Sequence, residues 1–156
     1  MSRYLLGLLI FVLANCNVAN LFAAVSQPAF HATVLWENDL DRGVLLVSPT
    51  EMWVIDTKGQ KYAKVNSQEA VKRVYISPDT KKLTYTTASG VWFVKLDTGE
   101  NRRIALGDCN FLRWDSTSLG LIFSIDNYGN DSLAQGTDTK LFLADGDGKN
   151  LKQVYP

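Results

Sequence analysis

Few side chains here could carry covalent chemistry. The chain has one histidine, His31, and two cysteines, Cys16 and Cys109. A Ser-His-Asp triad needs a histidine next to its nucleophile, and no Gly-x-Ser-x-Gly elbow is present. His31 sits in Ala29-Phe-His-Ala-Thr33, just ahead of the first extended segment, and is expected at the surface rather than as a general base. Cys109 lies in Gly107-Asp-Cys-Asn-Phe-Leu-Arg-Trp114 with no base nearby in sequence, and reads as a small core or edge residue. Zinc needs several Cys or His ligands, which the chain does not supply. The reading is therefore a non-enzyme without a cofactor.

The acidic residues offer one metal-like pattern. Asp145, Asp147 and Asn150 in Asp145-Gly-Asp-Gly-Lys-Asn150 present spaced oxygens of the kind calcium takes. Hairpin turns demand the same Asp and Gly residues, and no bidentate Glu follows at EF-hand spacing, so the expectation is turn chemistry and no metal. Upstream, Asn127 to Thr139 is polar and Gly-rich; as a loop on a rigid scaffold it is a candidate binding loop, with Tyr128, Asn130, Asp131 and Leu133 as contact residues.

Charge excludes one class of partner. Sixteen basic and sixteen acidic side chains cancel, and the longest basic clusters are the pairs Lys81-Lys82 and Arg102-Arg103. Nucleic acid needs a basic stripe with many phosphate contacts, so it is not expected. Those pairs read as solubilising charges at turns or strand edges.

The first 24 residues read as an address. Arg3 precedes an apolar run, Tyr4 to Ala14, and small residues follow at Ala23-Ala24, the layout of a secretory signal peptide. The run is short for a spanning helix, although a retained anchor is an alternative. Leu13-Ala-Asn-Cys16 resembles the bacterial lipoprotein box, with Asn15 where that pattern wants Gly or Ala. Lipidation at Cys16 would end the signal there and tie the protein to a membrane. Without the signal one cysteine remains, so no internal disulfide is expected.

These residues must be positioned by strands. After the signal the chain reads as short β-branched and aromatic runs bounded by Gly, Asp and Asn, with no helical period beyond a weak turn at Asn66 to Lys72. The runs fall into three groups of four, a repeat of about forty residues: about 30–65, 71–105 and 109–155. Trp36 to Leu45, Ile76 to Tyr85 and Trp114 to Phe123 each span nine residues, as matching core positions would. Asp56, Asp97 and Asp145 each read as closing a third strand before a Gly-containing turn. The third group carries an insertion within Asp126 to Thr139. Trp36, Trp53, Trp92 and Trp114 recur at this spacing and are expected chiefly in the core between units.

Ser77-Pro78-Asp79, Lys81-Lys82-Leu83 and Leu96-Asp97-Thr98-Gly99-Glu100 resemble the repeat of TolB-type (WD40-like) β-propellers, with Thr80 where the repeat has Gly. Val54-Ile-Asp-Thr57 and Phe142-Leu-Ala-Asp145 are weaker echoes in the other two units. The resemblance implies an all-β fold of three consecutive four-stranded antiparallel blades, an open half-propeller over residues 30–156. It also implies a periplasmic or envelope protein that binds other proteins and performs no chemistry. Propellers use four to eight blades, so three would leave a face uncovered at each end. Two half-rings pairing head to tail, a partner chain, or a tightly curved wrap of three sheets would each resolve this, and self-association or assembly with another envelope protein is expected. The alternative is a truncated or accessory propeller domain of a secreted peptidase or glycosidase.

Overall fold

The computed structural model of the chain describes residues 30–36, 40–126 and 139–155. They form twelve strands: β1 (Thr33–Leu35), β2 (Arg42–Ser48), β3 (Glu51–Asp56), β4 (Lys61–Asn66), β5 (Arg73–Ile76), β6 (Lys82–Thr86), β7 (Gly90–Lys95), β8 (Glu100–Leu106), β9 (Asp108–Trp114), β10 (Gly120–Asp126), β11 (Thr139–Asp145) and β12 (Lys152–Tyr155). Three four-stranded antiparallel sheets result, β1 to β4, β5 to β8 and β9 to β12, each a meander in chain order. None is closed into a barrel, and no helix occurs among the described residues. Where the sequence offered a weak helical turn at 66–72, Asn66 ends β4 and residues 67–72 are irregular chain.

The turns explain why the strands break where they do. Asp56 Oδ1 accepts from the backbone N–H groups of Lys58 (2.8 Å) and Gln60 (2.7 Å), while Gly59 sits at φ 77°. Asp145 Oδ1 repeats the arrangement with Asp147 (3.0 Å) and Lys149 (2.7 Å), and Gly148 sits at φ 64°. The carboxylate satisfies amides that the hairpin leaves unpaired, and the glycine takes the left-handed position. Asp97 departs from this pattern. The third strand of its sheet ends at Lys95, which pairs with Glu100, so Asp97 lies inside the turn closed by Gly99 N–H to Lys95 O (2.9 Å).

Register makes the repeat quantitative. Val34 pairs with Leu45, and Leu45 with Trp53; Val74 pairs with Tyr85, and Tyr85 with Trp92; Leu112 pairs with Phe123, and Phe123 with Phe142. These residues occupy equivalent positions on one face of each sheet, here called the incoming face because it meets the preceding sheet. The opposite, outgoing face meets the next sheet. Val44, Val54 and Val65 of the first outgoing face pack on Leu83, Tyr85 and Val94 of the second incoming face. Val91 and Phe93 of the second outgoing face pack on Leu121, Phe123 and Phe142 of the third incoming face. The rings at equivalent positions stack, Tyr85 on Trp92 (5.8 Å between centroids) and Phe123 on Phe142 (5.7 Å). Each buried aromatic or aliphatic side chain on these faces contributes about 1.5–3 kcal/mol.

Candidate functional site

The two internal interfaces are fastened by a repeated polar contact at one corner. Arg42, at the start of the first sheet's second strand, donates from Nη1 to Thr80 O in the second sheet (3.3 Å). Lys82, the equivalent residue one sheet on, donates from Nζ to Ser118 O in the third (2.7 Å). Thr80 (φ 56°) and Ser118 (φ 61°) are themselves equivalent left-handed residues, which turn their carbonyls toward the preceding sheet's cation. Ser118 Oγ also accepts from Asp79 N–H (2.8 Å), and Trp114 Nε1 donates to Thr84 Oγ1 across the buried seam (3.2 Å). The Lys82 side chain is 13% exposed, so it is a fastener between sheets rather than the solubilising edge charge expected from sequence. Arg102 likewise reaches across to Asp147 O.

The outgoing face of the third sheet breaks the pattern. Register places Ile122 where Val44 stands in the first sheet, Leu143 where Val54 and Phe93 stand, and Tyr155 where Val65 and Ala105 stand. Val54 is 0% exposed and Phe93 1%, yet Leu143 is 42% exposed and Phe111, on the same face, 47%. A cavity of about 820 Å³ opens there, between the first strands of the second and third sheets. Tyr75, Ile76 and Trp114 line its inner wall; Phe111, Ile122 and Leu143 line its floor on the outgoing face, with Arg113 and Asp115 at its polar margin. Asp115 is held as an anion: burial pushes its carboxyl up, but the hydroxyl and N–H of Thr117 and the amide of Leu119 outweigh this and keep it below the usual carboxylate range. The lining is mostly apolar, with a few polar groups at its margin, which is the composition common in sites that take a ligand or partner.

The other sequence candidates fall elsewhere. Tyr128, Asn130, Asp131, Leu133, Cys16 and the signal peptide lie outside the described residues. His31 is exposed ahead of β1. Cys109 is buried, its Sγ 3.2 Å from Phe111 O, and burial pushes its thiol up to about 11. Asp145, Asp147 and Asn150 sit together in the β11–β12 turn, but both Asp145 oxygens already accept protein donors, Oδ2 from Asn150 Nδ2 at 2.7 Å. Burial raises the Asp145 carboxyl and the Lys149 amide, Asn150 amide and Asp147 amide pull it lower, with the net effect downward. Among the described residues no cluster of three His, Cys, Asp or Glu could hold a metal ion. Trp92 and Trp114 pack in the seams between sheets, as expected, while Trp53 lies on the first incoming face beneath Lys61 Nζ (4.4 Å from its centroid).

Sequence reading missed Phe111, Ile122 and Leu143. For two of them the signal was available: counted from Leu45, Tyr85 and Phe123, Ile122 falls where Val44 and Thr84 are buried and Leu143 where Val54 and Phe93 are, whereas Phe111 falls where Thr33 and Arg73 are exposed.

No protein-family model matches the chain, and no curated protein does. Solved structures match in fold. The tricorn protease superimposes with a TM-score of 0.62 at 13% identity, over 83% of this chain and 13% of its own. A structure from Agrobacterium tumefaciens described as a TolB gives 0.56 at 15%, over 83% of this chain and 50% of its own. The acylaminoacyl peptidase of Pyrococcus horikoshii gives 0.53 at 16%, over 79% and 25%. The chain therefore spans half or less of the length of each. Its fold is a TolB-type β-propeller fold, present as three blades.

Proposed function

We propose that this chain is an exported, non-catalytic protein-binding module of the bacterial cell envelope, which engages its partner through the outgoing face of the third blade. One observation carries the reading. Leu143 is left open at a position that the two internal interfaces bury, and together with exposed Phe111 on the same face it borders a cavity large enough to seat several side chains. Exposed apolar surface of this kind marks interaction sites. Export rests on the Arg3–Ala24 segment, and the envelope assignment on the repeat grammar shared with TolB.

A photoreactive phenylalanine analogue at Leu143 tests this in an expressing bacterium. The expected result is one discrete cross-linked product in the periplasmic or membrane fraction, absent when the same analogue replaces exposed Lys58 in the β3–β4 turn. Equal labelling at both positions, or none at Leu143, contradicts the proposal. A second reading, an accessory propeller piece of a secreted hydrolase, draws on the two peptidases of matching fold. It predicts that the product contains a hydrolase.

A further inference from the structure

We infer that the occupant of the third blade's outgoing face is the first blade of a second copy, so that two chains close one six-bladed ring head to tail. This rests on the binding reading above and names the partner. The first support is that both unpaired faces keep the apolar residues that the internal interfaces bury. On the outgoing side these are Ile122, Leu141 and Leu143. On the incoming side of the first blade, Val34, Leu45, Trp53 and Ile55 stand at the positions of Val74, Tyr85, Trp92 and Val94, all of which pack on the preceding blade. Val34 is 52% exposed. Ends that stay in water are expected to carry a polar capping face instead. The cations above Trp53 do not prevent packing, since Arg103 lies over the equivalent Trp92 (5.7 Å) within an internal interface.

The second support is a matched loss at the corner fastener. The third blade has Gly120 where Arg42 and Lys82 stand, so it has no cation to offer the next blade. In the first blade the carbonyl that would receive such a cation is that of Leu40, the counterpart of Thr80 and Ser118. It already accepts from Trp36 Nε1 (3.0 Å). The Trp36 ring lies on Gly43, at the position of Leu83 and Leu121, and a Cβ there would stand 2.3 Å from ring carbon Cε3. Donor and need are thus missing from the two halves of one interface. Joining the third blade to the first would bury no orphaned carbonyl, which would otherwise cost the contact dearly. A second copy of these three blades would cover both faces and close a six-bladed ring.

Sedimentation equilibrium of the full chain, recovered as the cell processes it, tests the inference. The expected mass is twice that of one chain. Leu143→Arg and Val34→Arg, both at exposed positions, are each expected to raise the dissociation constant at least about tenfold, the cost of an uncompensated charge in an apolar contact. Unchanged far-ultraviolet circular dichroism shows that each variant folds. A one-to-one mixture of the two is expected to associate better than either alone, because the mixed pair retains one intact interface. A single-chain mass for the wild type at all concentrations overturns self-pairing, while the Leu143 photo-cross-link then decides separately whether the face binds another protein. Loss of the dimer in Leu143→Arg with none in Val34→Arg overturns the head-to-tail arrangement in favour of a face-to-face one.

Discussion

Thr80 holds a left-handed backbone at φ 56°, a conformation that costs a β-branched residue about 1–3 kcal/mol. Glycine takes it freely but loses more entropy on folding, about 0.5–1 kcal/mol. Thr80→Gly should therefore stabilise the protein by about 1 kcal/mol in urea titration, since the Arg42 contact is to the backbone carbonyl and survives the change. Unaltered or lower stability would mean that the Thr80 side chain contributes packing. Thr86 is a second local cost. Its Oγ1 is buried on the second outgoing face with no hydrogen-bond partner among the described residues. Thr86→Val, nearly isosteric, should leave stability equal or raise it by about 1 kcal/mol.

Cys109 makes a pH-dependent contribution whose sign is fixed. Burial raises its thiol to about 11 from an ordinary 9.0. Between those values the unfolded chain gives up a proton that the folded chain keeps. The contribution is therefore fully present below about pH 9 and is lost as pH climbs to 11, on the order of 3 kcal/mol in all. Urea titrations at pH 8 and pH 10 should show a smaller loss in Cys109→Ala than in the wild type. Equal losses would show that the thiol ionises freely in the folded state.

Two blade faces and one corner contact form the unit of construction at the scale of elements. Removing Lys82 tests the corner. Lys82→Met keeps an unbranched side chain but strips the ammonium that lies over Trp114, pairs with Asp79 and donates to Ser118 O, and a cost of about 1–3 kcal/mol is expected for leaving that carbonyl unpaired. Much at this scale was legible in sequence because hairpins announce themselves: Asp56 and Asp145 cap their turns by the mechanism that makes Asp common there. Asp97 was misplaced because its turn closes on Lys95, with Gly99 N–H bonding four residues back where Gly59 and Gly148 bond three residues back to their Asp, and residue identity alone does not reveal that difference. The fastener role of Lys82 was hidden for a different reason. A lysine beside a turn looks the same whether it meets water or a carbonyl of the neighbouring blade, and only the stacking of sheets decides.

For the whole molecule the question is what covers the two outward faces. The spacing of aromatic residues disclosed three units, and the limit of four to eight blades for a closed propeller disclosed that three leave two faces open. Which residues form those faces was not legible until register fixed the pairing of Leu143 with Ile122 and of Val34 with Leu45. A compact chain of this length has a radius of gyration of about 15 Å, and a compact pair about 20 Å. Small-angle X-ray scattering over a dilution series measures that radius together with the mass. The account predicts about 20 Å with the forward scattering of two chains at high concentration; about 15 Å with the scattering of one chain, at every concentration, would contradict it.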